Sequence, residues 1–330
     1  MVHLLQTLKK VGFNAFFFLL LSTIALAYAF PELGMESSPV PVKKLTGIGV
    51  SLIFFFYGVK LSPQELWKGL RNWKLHLLVQ AATFLLFPMF ILLLFYTVGA
   101  EATPLWLGTF YLAALPSTVS SSVVMVSIAR GNLPAAIFNA SISSMVGIFL
   151  TPLWMELMLP DTAVDFALGE TFQKLTLQVL VPLLIGLFFH RLLIRYVERH
   201  KVALKNFDQF IILLIVFSAF AESFGADMFA GQSWGQLLQL GLLMLGFFFF
   251  MIAIMHGVGK ALGLSLPDRI TLLFCGSKKS LVQGAVMGRV LFPDPQVFGL
   301  ILLPLMLYHT LQLMAGSALA QRLGARPVEV

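Results

Sequence analysis

The sequence predicts an all-α integral membrane protein of ten transmembrane helices in two inverted five-helix repeats, with the fourth and ninth helices broken. Three observations carry this. Hydrophobic residues make up 58% of the 330-residue chain and charged ones only 11%, against about 25% charged in soluble domains. Apolar stretches of about 20 residues, enough to cross about 30 Å of hydrocarbon, recur along the chain. The stretches also repeat by position: Leu45 and Lys205 stand 160 residues apart, as do Pro116 and Gly276. Five spans in residues 1–158 precede a polar connector at 159–169, and five follow in 170–330. An odd number of spans per unit inverts the second unit relative to the first.

Span one covers 11–30, after a short basic start. Its end at Ala27-Tyr28-Ala29 resembles a signal-peptide cleavage site, but the apolar run is longer than the usual 7 to about 15 residues, and its removal would spoil the repeat. Span two covers 45–61. There Ser62-Pro63-Gln64-Glu65 offers a cap, a first-turn proline and a glutamate at the third helical position. A short amphipathic helix is expected to follow, with Leu66, Trp67, Leu70 and Trp73 beside Lys68, Arg71 and Lys74, suited to the headgroup layer. Span three covers 75–98, span four 104–129 and span five 134–157, the last after the turn Arg130-Gly131-Asn132. Span six, 172–193, leads into a basic loop carrying Arg191, Arg195, Arg199, Lys201 and Lys205. Spans seven to ten cover 207–224, 237–262, 267–291 and 297–319.

Charge orients these spans. Alternation places sixteen of the 22 basic residues on one side, leaves Lys43, Lys44, Lys174 and Arg289 on the other, and holds Lys278 and Lys279 inside span nine. Excess lysine and arginine mark the cytoplasmic side, so both termini are expected there, in a bacterial inner membrane. The net charge of +7 is thus a matter of topology and does not call for nucleic acid. The lone Cys275 excludes an internal disulfide and a multi-cysteine metal site. No HExxH pair, phosphate-binding glycine loop or G-x-S-x-G elbow occurs, which argues against an enzyme.

Two polar strings interrupt apolar spans. Leu115-Pro116-Ser117-Thr118-Val119-Ser120-Ser121-Ser122 breaks span four, and Cys275-Gly276-Ser277-Lys278-Lys279-Ser280-Leu281-Val282-Gln283-Gly284 breaks span nine, each with helix-weakening residues. Lipid tolerates such backbone only where protein or a water-filled cavity supplies hydrogen bonds. In span five, Ala136, Asn139, Ala140, Ser143 and Gly147 fall on one helix face. They read either as a tight packing face with Asn139 and Ser143 as hydrogen-bond glue, or as oxygen donors that join Ser121 and Ser122 around a small cation, usually Na⁺. Gln80 in span three reads either as a further lining residue or as hydrogen-bond glue. Each lysine costs about 2.5 to 3.5 kcal/mol near a span centre, and adjacent helical positions point about 100° apart, so one of the pair is expected to face the site. Alternatively, span nine starts late and both lie near its end; the turn Leu266-Pro267-Asp268-Arg269 argues for the earlier start. Glu222 reads as a solvated interfacial acid, and His309 with Gln312 as a cavity lining or proton relay.

Pro116 to Ser122, Ala129-Arg130-Gly131-Asn132, Thr151-Pro152 and Gly276-Ser277-Lys278-Lys279-Ser280-Leu281 together resemble the bile acid:sodium symporter family, in its sodium/bile acid cotransporter 7-like branch. The resemblance covers essentially the whole chain. It implies a panel domain of spans one, two, six and seven beside a core domain of the other six, where spans four and nine cross. It further implies Na⁺ sites behind the crossing. Ser121 and Ser122 match a Ser-Asn pair on span four, and Gln80 matches a glutamine on span three. Span nine departs from the pattern: the place of its glutamate falls at about Ser277 or Lys278, with no acid nearby.

The expected function is therefore secondary active transport of a small organic anion, bile-acid-like or another metabolite, coupled to Na⁺ or H⁺ by alternating access. Ser121, Ser122, Asn139, Ser143 and Gln80 form the candidate cation set. Lys278, Lys279, Ser277, Ser280, Gln283, Thr118 and Ser120 form the candidate substrate set. No organic cofactor is expected, and the lipid bilayer is the partner in view. A non-transporting membrane regulator that retains the fold is the competing reading.

Overall fold

The computed structural model describes residues 15–35, 37–39, 41–60, 72–99, 103–158, 173, 176–230, 233–292 and 294–326. Residues 62–71 of the expected amphipathic helix and the connector at 159–169 lie outside them, while Trp73 and Lys74, expected in that helix, instead begin the long helix Trp73–Val98. The described residues form thirteen helices: α1 (Ala15–Ala29), α2 (Val42–Lys60), α3 (Trp73–Val98), α4 (Pro104–Ala114), α5 (Ser120–Ile128), α6 (Leu133–Met158), α7 (Thr176–Phe188), α8 (His190–Arg199), α9 (Lys201–Gly225), α10 (Trp234–Ala261), α11 (Leu266–Gly276), α12 (Leu281–Leu291) and α13 (Pro295–Gly324). Five of them, α3, α6, α9, α10 and α13, are each long and apolar enough to cross a membrane.

Sequence explains the boundaries. Ser233 caps α10 in a capping box with Gln236, and Ser265 caps α11 from the residue before Leu266-Pro267. The early start of span nine is therefore the one observed. Gly99 and Arg130 take positive φ where α3 and α5 end, the left-handed turn that stops a helix. One expectation is overturned: the segment with Arg191, Arg195 and Arg199 is the helix α8, not a loop. It bends from α7 by 97°. Its arginines recur every four residues, which gives a basic face to an otherwise apolar helix, and His190 Nδ1 hydrogen-bonds the Val59 carbonyl at 2.7 Å.

Packing sorts the helices into two groups. In the first, α2 lies along α7, α8 and α9, and α9 also packs on α1. Gly58 and Gly186 face each other's helix so closely that a Cβ on either would enter the opposite backbone, at Leu183 O and Phe55 O. Only glycine permits that approach. In the second group α13 packs on α4, α5, α10 and α12, while α11 rests on α3, α5, α6 and α10. The groups meet mainly where α13 and α12 lie on α9, and an Arg289 guanidinium on α12 donates to Thr46 Oγ1 on α2. Glu222, at this meeting, is 7% exposed and not a solvated acid. The packing of α9 against both α1 and α13 takes its end out of solvent.

Prolines inside α3 and α7 leave backbone carbonyls without helical donors. In α3 the residues Ala82–Leu86 widen into a π turn, and Phe87 N–H bonds back to Ala82 O. Pro88 has no N–H to offer next. Trp154 Nε1 fills one vacancy, donating to Phe84 O at 2.6 Å. The same device recurs in α7, where Pro182 follows the π turn Thr176–Leu180 and Ser51 Oγ donates to Gln178 O at 3.2 Å.

Candidate functional site

The chain leaves helical geometry at 115–119, between α4 and α5, and at 277–280, between α11 and α12. A break of this kind exposes the last carbonyls of one helix and the first amides of the next, and buried backbone groups must be paired. Here the two breaks pair with each other. Ser117 Oγ donates to Cys275 O at 2.7 Å and Ser280 N donates to Pro116 O at 3.0 Å. Ser121 Oγ donates to Thr118 Oγ1 at 2.8 Å, Thr118 and Ser122 hydroxyls share a 2.7 Å bond, and Ser122 Oγ reaches Phe274 O at 3.3 Å. A hydroxyl chain thus runs from one broken segment to the other.

Neighbouring helices complete the accounting. Thr151 Oγ1 donates to Ala114 O at 2.8 Å, and Ser143 Oγ accepts from Ser117 N at 3.0 Å. Tyr308 OH donates to Ser277 O and Tyr111 OH to Gly284 O, both at 2.7 Å. Gly147 makes room for the Pro116 ring, which a Cβ there would strike. Ser277 Oγ turns back to Leu273 O at 2.6 Å, and Ser280 caps α12 by accepting from Gln283 N at 3.3 Å.

Both lysines are fully buried, at 0% exposure, and they diverge. Lys279 Nζ donates to Thr83 O at 2.8 Å, Ala113 O at 2.7 Å and Leu115 O at 2.8 Å, and lies 4.2 Å from the centroid of the Phe87 ring. An ammonium has three protons; all three are used. Two of the acceptors are the end of α4 and its break, and the third is the Thr83 carbonyl, which lies in the π turn five residues before Pro88, a residue with no N–H to donate. Lys278 Nζ instead donates to Ser121 O at 3.2 Å and contacts Met125 Sδ. Of the two lysines, between which the sequence did not choose, Lys279 occupies the carbonyl cage. The two side chains diverge where the chain at 277–280 leaves the helix, with Ser280 extended.

Other sequence-derived candidates are dispersed. Gln80 Nε2 donates to Asn139 Oδ1 at 3.2 Å and Asn139 O at 3.3 Å, and Asn139 Nδ2 donates to Ala135 O at 3.0 Å. This amide pair is distinct from the Ser121–Thr118–Ser122 chain, and Ser143 serves the Ser117 amide. Gln283 is buried with neither amide atom partnered among the described residues, and Gln80 Oε1 is likewise unpartnered. Ser120 opens α5; its side chain lies outside the described residues. His309 and Gln312 do not line the cavity described below. Gln312 Oε1 accepts from Lys279 N at 2.9 Å and its Nε2 donates to Lys279 O at 2.7 Å, a two-point clamp on the backbone that carries the caged lysine.

Sequence reasoning missed a cavity beside the first break. It has a volume of about 490 Å³. Val119, Val123, Ile137, Ser141, Ser144 and Met145 form one wall, from α5, α6 and the break itself; Tyr57, Lys60, Leu183, Lys201, Lys205 and Asp208 belong to α2, α7 and α9 opposite. Three lysines against one aspartate give the cavity a positive field suited to an anion. The available signal was the cluster of basic residues after span six, which the sequence reading used only for orientation.

The chain is similar to known proteins along most of its length. An uncharacterized protein of Pseudomonas aeruginosa is 41% identical over 93% of this chain and 92% of its own length. Sodium/bile acid cotransporter 7 of Danio rerio is 32% identical over 90% of this chain and 89% of its own. Sodium/bile acid cotransporter 7-A of Xenopus laevis is 31% identical over 96% and 92%. The named relatives are transporters, not enzymes. Matched by the family pattern across residues 14–325, this chain belongs to the SBF-like CPA transporter family.

Proposed function

We propose that the protein is a cation-coupled secondary transporter of a small organic anion, with ten spans in two inverted repeats. In this reading α4 with α5 and α11 with α12 are the broken spans, and α1, α2 and α7–α9 are the panel against which the remaining core moves. The observation that carries the reading is the cavity of about 490 Å³ between the two groups, with Lys60, Lys201 and Lys205 facing the first break. An anion held there touches both groups, so its binding senses their relative position. With the termini cytoplasmic, the cavity opens to the cytoplasm, and Arg289 on Thr46 closes the opposite side.

The names of the vertebrate relatives attach sodium and bile acid to those proteins. For this chain the caged ammonium of Lys279 supports a different use of charge. A protonated lysine fills a carbonyl cage where a free cation would otherwise be held, so at most one Na⁺ remains in play, and binding it would require the separate Ser121–Ser122 hydroxyls and the Asn139 and Ser143 oxygens to regroup. Neutral hydroxyl and amide oxygens suit a weakly held ion of this kind.

The test is uptake of labelled taurocholate and estrone sulfate by proteoliposomes under imposed Na⁺ and pH gradients. Concentrative uptake that is abolished by Lys60→Met with Lys201→Met is the expected result. Absence of uptake for a broad panel of organic anions under every gradient sinks the transporter reading and favours a regulator. In Lys279→Gln, loss of the tethered charge is expected to create or enlarge a Na⁺ response. A Lys279→Gln protein that matches the parent in affinity and Na⁺ response rejects the substitution of lysine for sodium.

A further inference from the structure

The anion-binding cavity contains one feature that an anion site alone does not call for, the carboxylate of Asp208. Among the described residues it is the one acid in the cavity wall, and its Oδ1 is buried there without a hydrogen-bond partner. Lys60, which leans over the Tyr57 ring at 5.5 Å, is the neighbouring cation whose field acts on it. A carboxylate in that place repels the very ligand that the three lysines attract.

We propose that Asp208 carries the coupling proton, binding it together with the anion and releasing it with the anion. The inference rests on the transporter reading above and names its coupling ion as H⁺. An anion entering beside Lys60, Lys201 and Lys205 meets the Asp208 charge; a proton taken from water at the cavity mouth onto the unpartnered oxygen removes that repulsion. By reciprocity the bound anion favours the protonated acid by the same factor, on the order of tenfold to a hundredfold for charges a few ångströms apart near a protein surface. When the cavity opens to the other side and the anion leaves, the lysine field is again uncompensated, and the proton returns to water there. The coupling does not need a sodium ion at the breaks, where the Lys279 ammonium already holds the carbonyls.

Among the described residues, the surroundings of Asp208 hold no second acid. From α2 the facing groups are Tyr57 and Lys60, and from its own helix α9 they are Lys201 and Lys205. The α5 and α6 wall presents Val119, Val123, Ile137, Ser141, Ser144 and Met145, none of which titrates near neutrality, and α7 presents Leu183. The helix α8, packed on α2 and α9, contributes no residue to the wall.

The experiment adds inorganic sulfate or taurocholate, neither of which exchanges protons near neutrality, to the purified protein in weakly buffered detergent with a pH-sensitive dye. The parent is expected to take up about one proton per anion bound, Asp208→Glu to keep that uptake, and Asp208→Asn to lose it while still binding the anion. In proteoliposomes Asp208→Asn is expected to retain exchange of labelled anion and to lose accumulation driven by a pH gradient by at least about tenfold. Absence of proton uptake by the parent with both anions overturns the proposal, as does uptake that persists in Asp208→Asn. Accumulation driven by Na⁺ without proton uptake leaves the transporter reading standing and rejects this coupling. Proton uptake that depends on Asp208 in a protein that moves no anion does the reverse.

Discussion

Lys279 shows how a charge is accommodated at the centre of an apolar protein. Its three protons meet three carbonyls, its ammonium lies over the Phe87 ring, and both backbone polar groups are clamped by Gln312. Removing a partner from a buried polar group costs about 1 to 3 kcal/mol. Gln312→Leu strands the amide of Lys279 and leaves its carbonyl only the longer approach of His309 Nδ1 at 3.4 Å, so a loss of about 1 to 3 kcal/mol is expected, measured as a lower midpoint in thermal unfolding of the detergent-solubilised protein. A midpoint within a degree of the parent would show that the clamp is not needed. The lysine pair was legible in the sequence as an anomaly, because two cations in an apolar span demand a reason. The identity of their partners was not, since backbone carbonyls carry no residue signature. Gln312 was visible only as a polar residue in another span, 33 positions from the backbone that it holds.

Among the elements, the breaks were the most legible feature and the π turns the least. Pro116 with its hydroxyl neighbours and Gly276 with Ser277 announce a loss of helix, and the structure leaves helix at both places. Pro88 and Pro182 announce unpaired carbonyls, but nothing in sequence says that Trp154 and Ser51 supply the donors. Trp154→Phe keeps the ring and removes the donor to Phe84 O, so a destabilisation of about 1 to 3 kcal/mol is expected by the same unfolding assay. Unchanged stability would mean that another donor reaches this carbonyl. The α2–α7 contact gives a stronger prediction. Gly186→Val places two methyl groups where the Phe55 carbonyl lies, and overpacking of about 1 to 3 kcal/mol or more is expected to reduce the yield of folded protein. Full yield and stability would show that these helices separate freely. The helix α8 escaped the sequence reading because its arginines were counted as loop charge. Their four-residue spacing, with Leu192, Leu193, Ile194 and Val197 between them, was the overlooked sign of a helix.

At the scale of the whole molecule, α13 holds one group together and rests on α9 of the other, and the buried Cys275 lies between the two breaks. Cys275 is fully buried and its carbonyl is bound by Ser117. It is expected to resist a membrane-permeant maleimide in the folded protein and to react at once after denaturation. Fast labelling of the native protein would mean that the breaks part readily. A reporter fused after Val330 is expected to signal from the cytoplasm, and a periplasmic signal would invert the topology. The seal between the breaks also behaves differently from one made by a diffusing ion. A free ion obeys mass action: its site empties as the medium is diluted, and the stability that it lends goes with it. A cation tethered to its own chain keeps an effective concentration set by its linkage. The part of the seal made by Lys279 therefore contributes the same stability in dilute media as in saline ones.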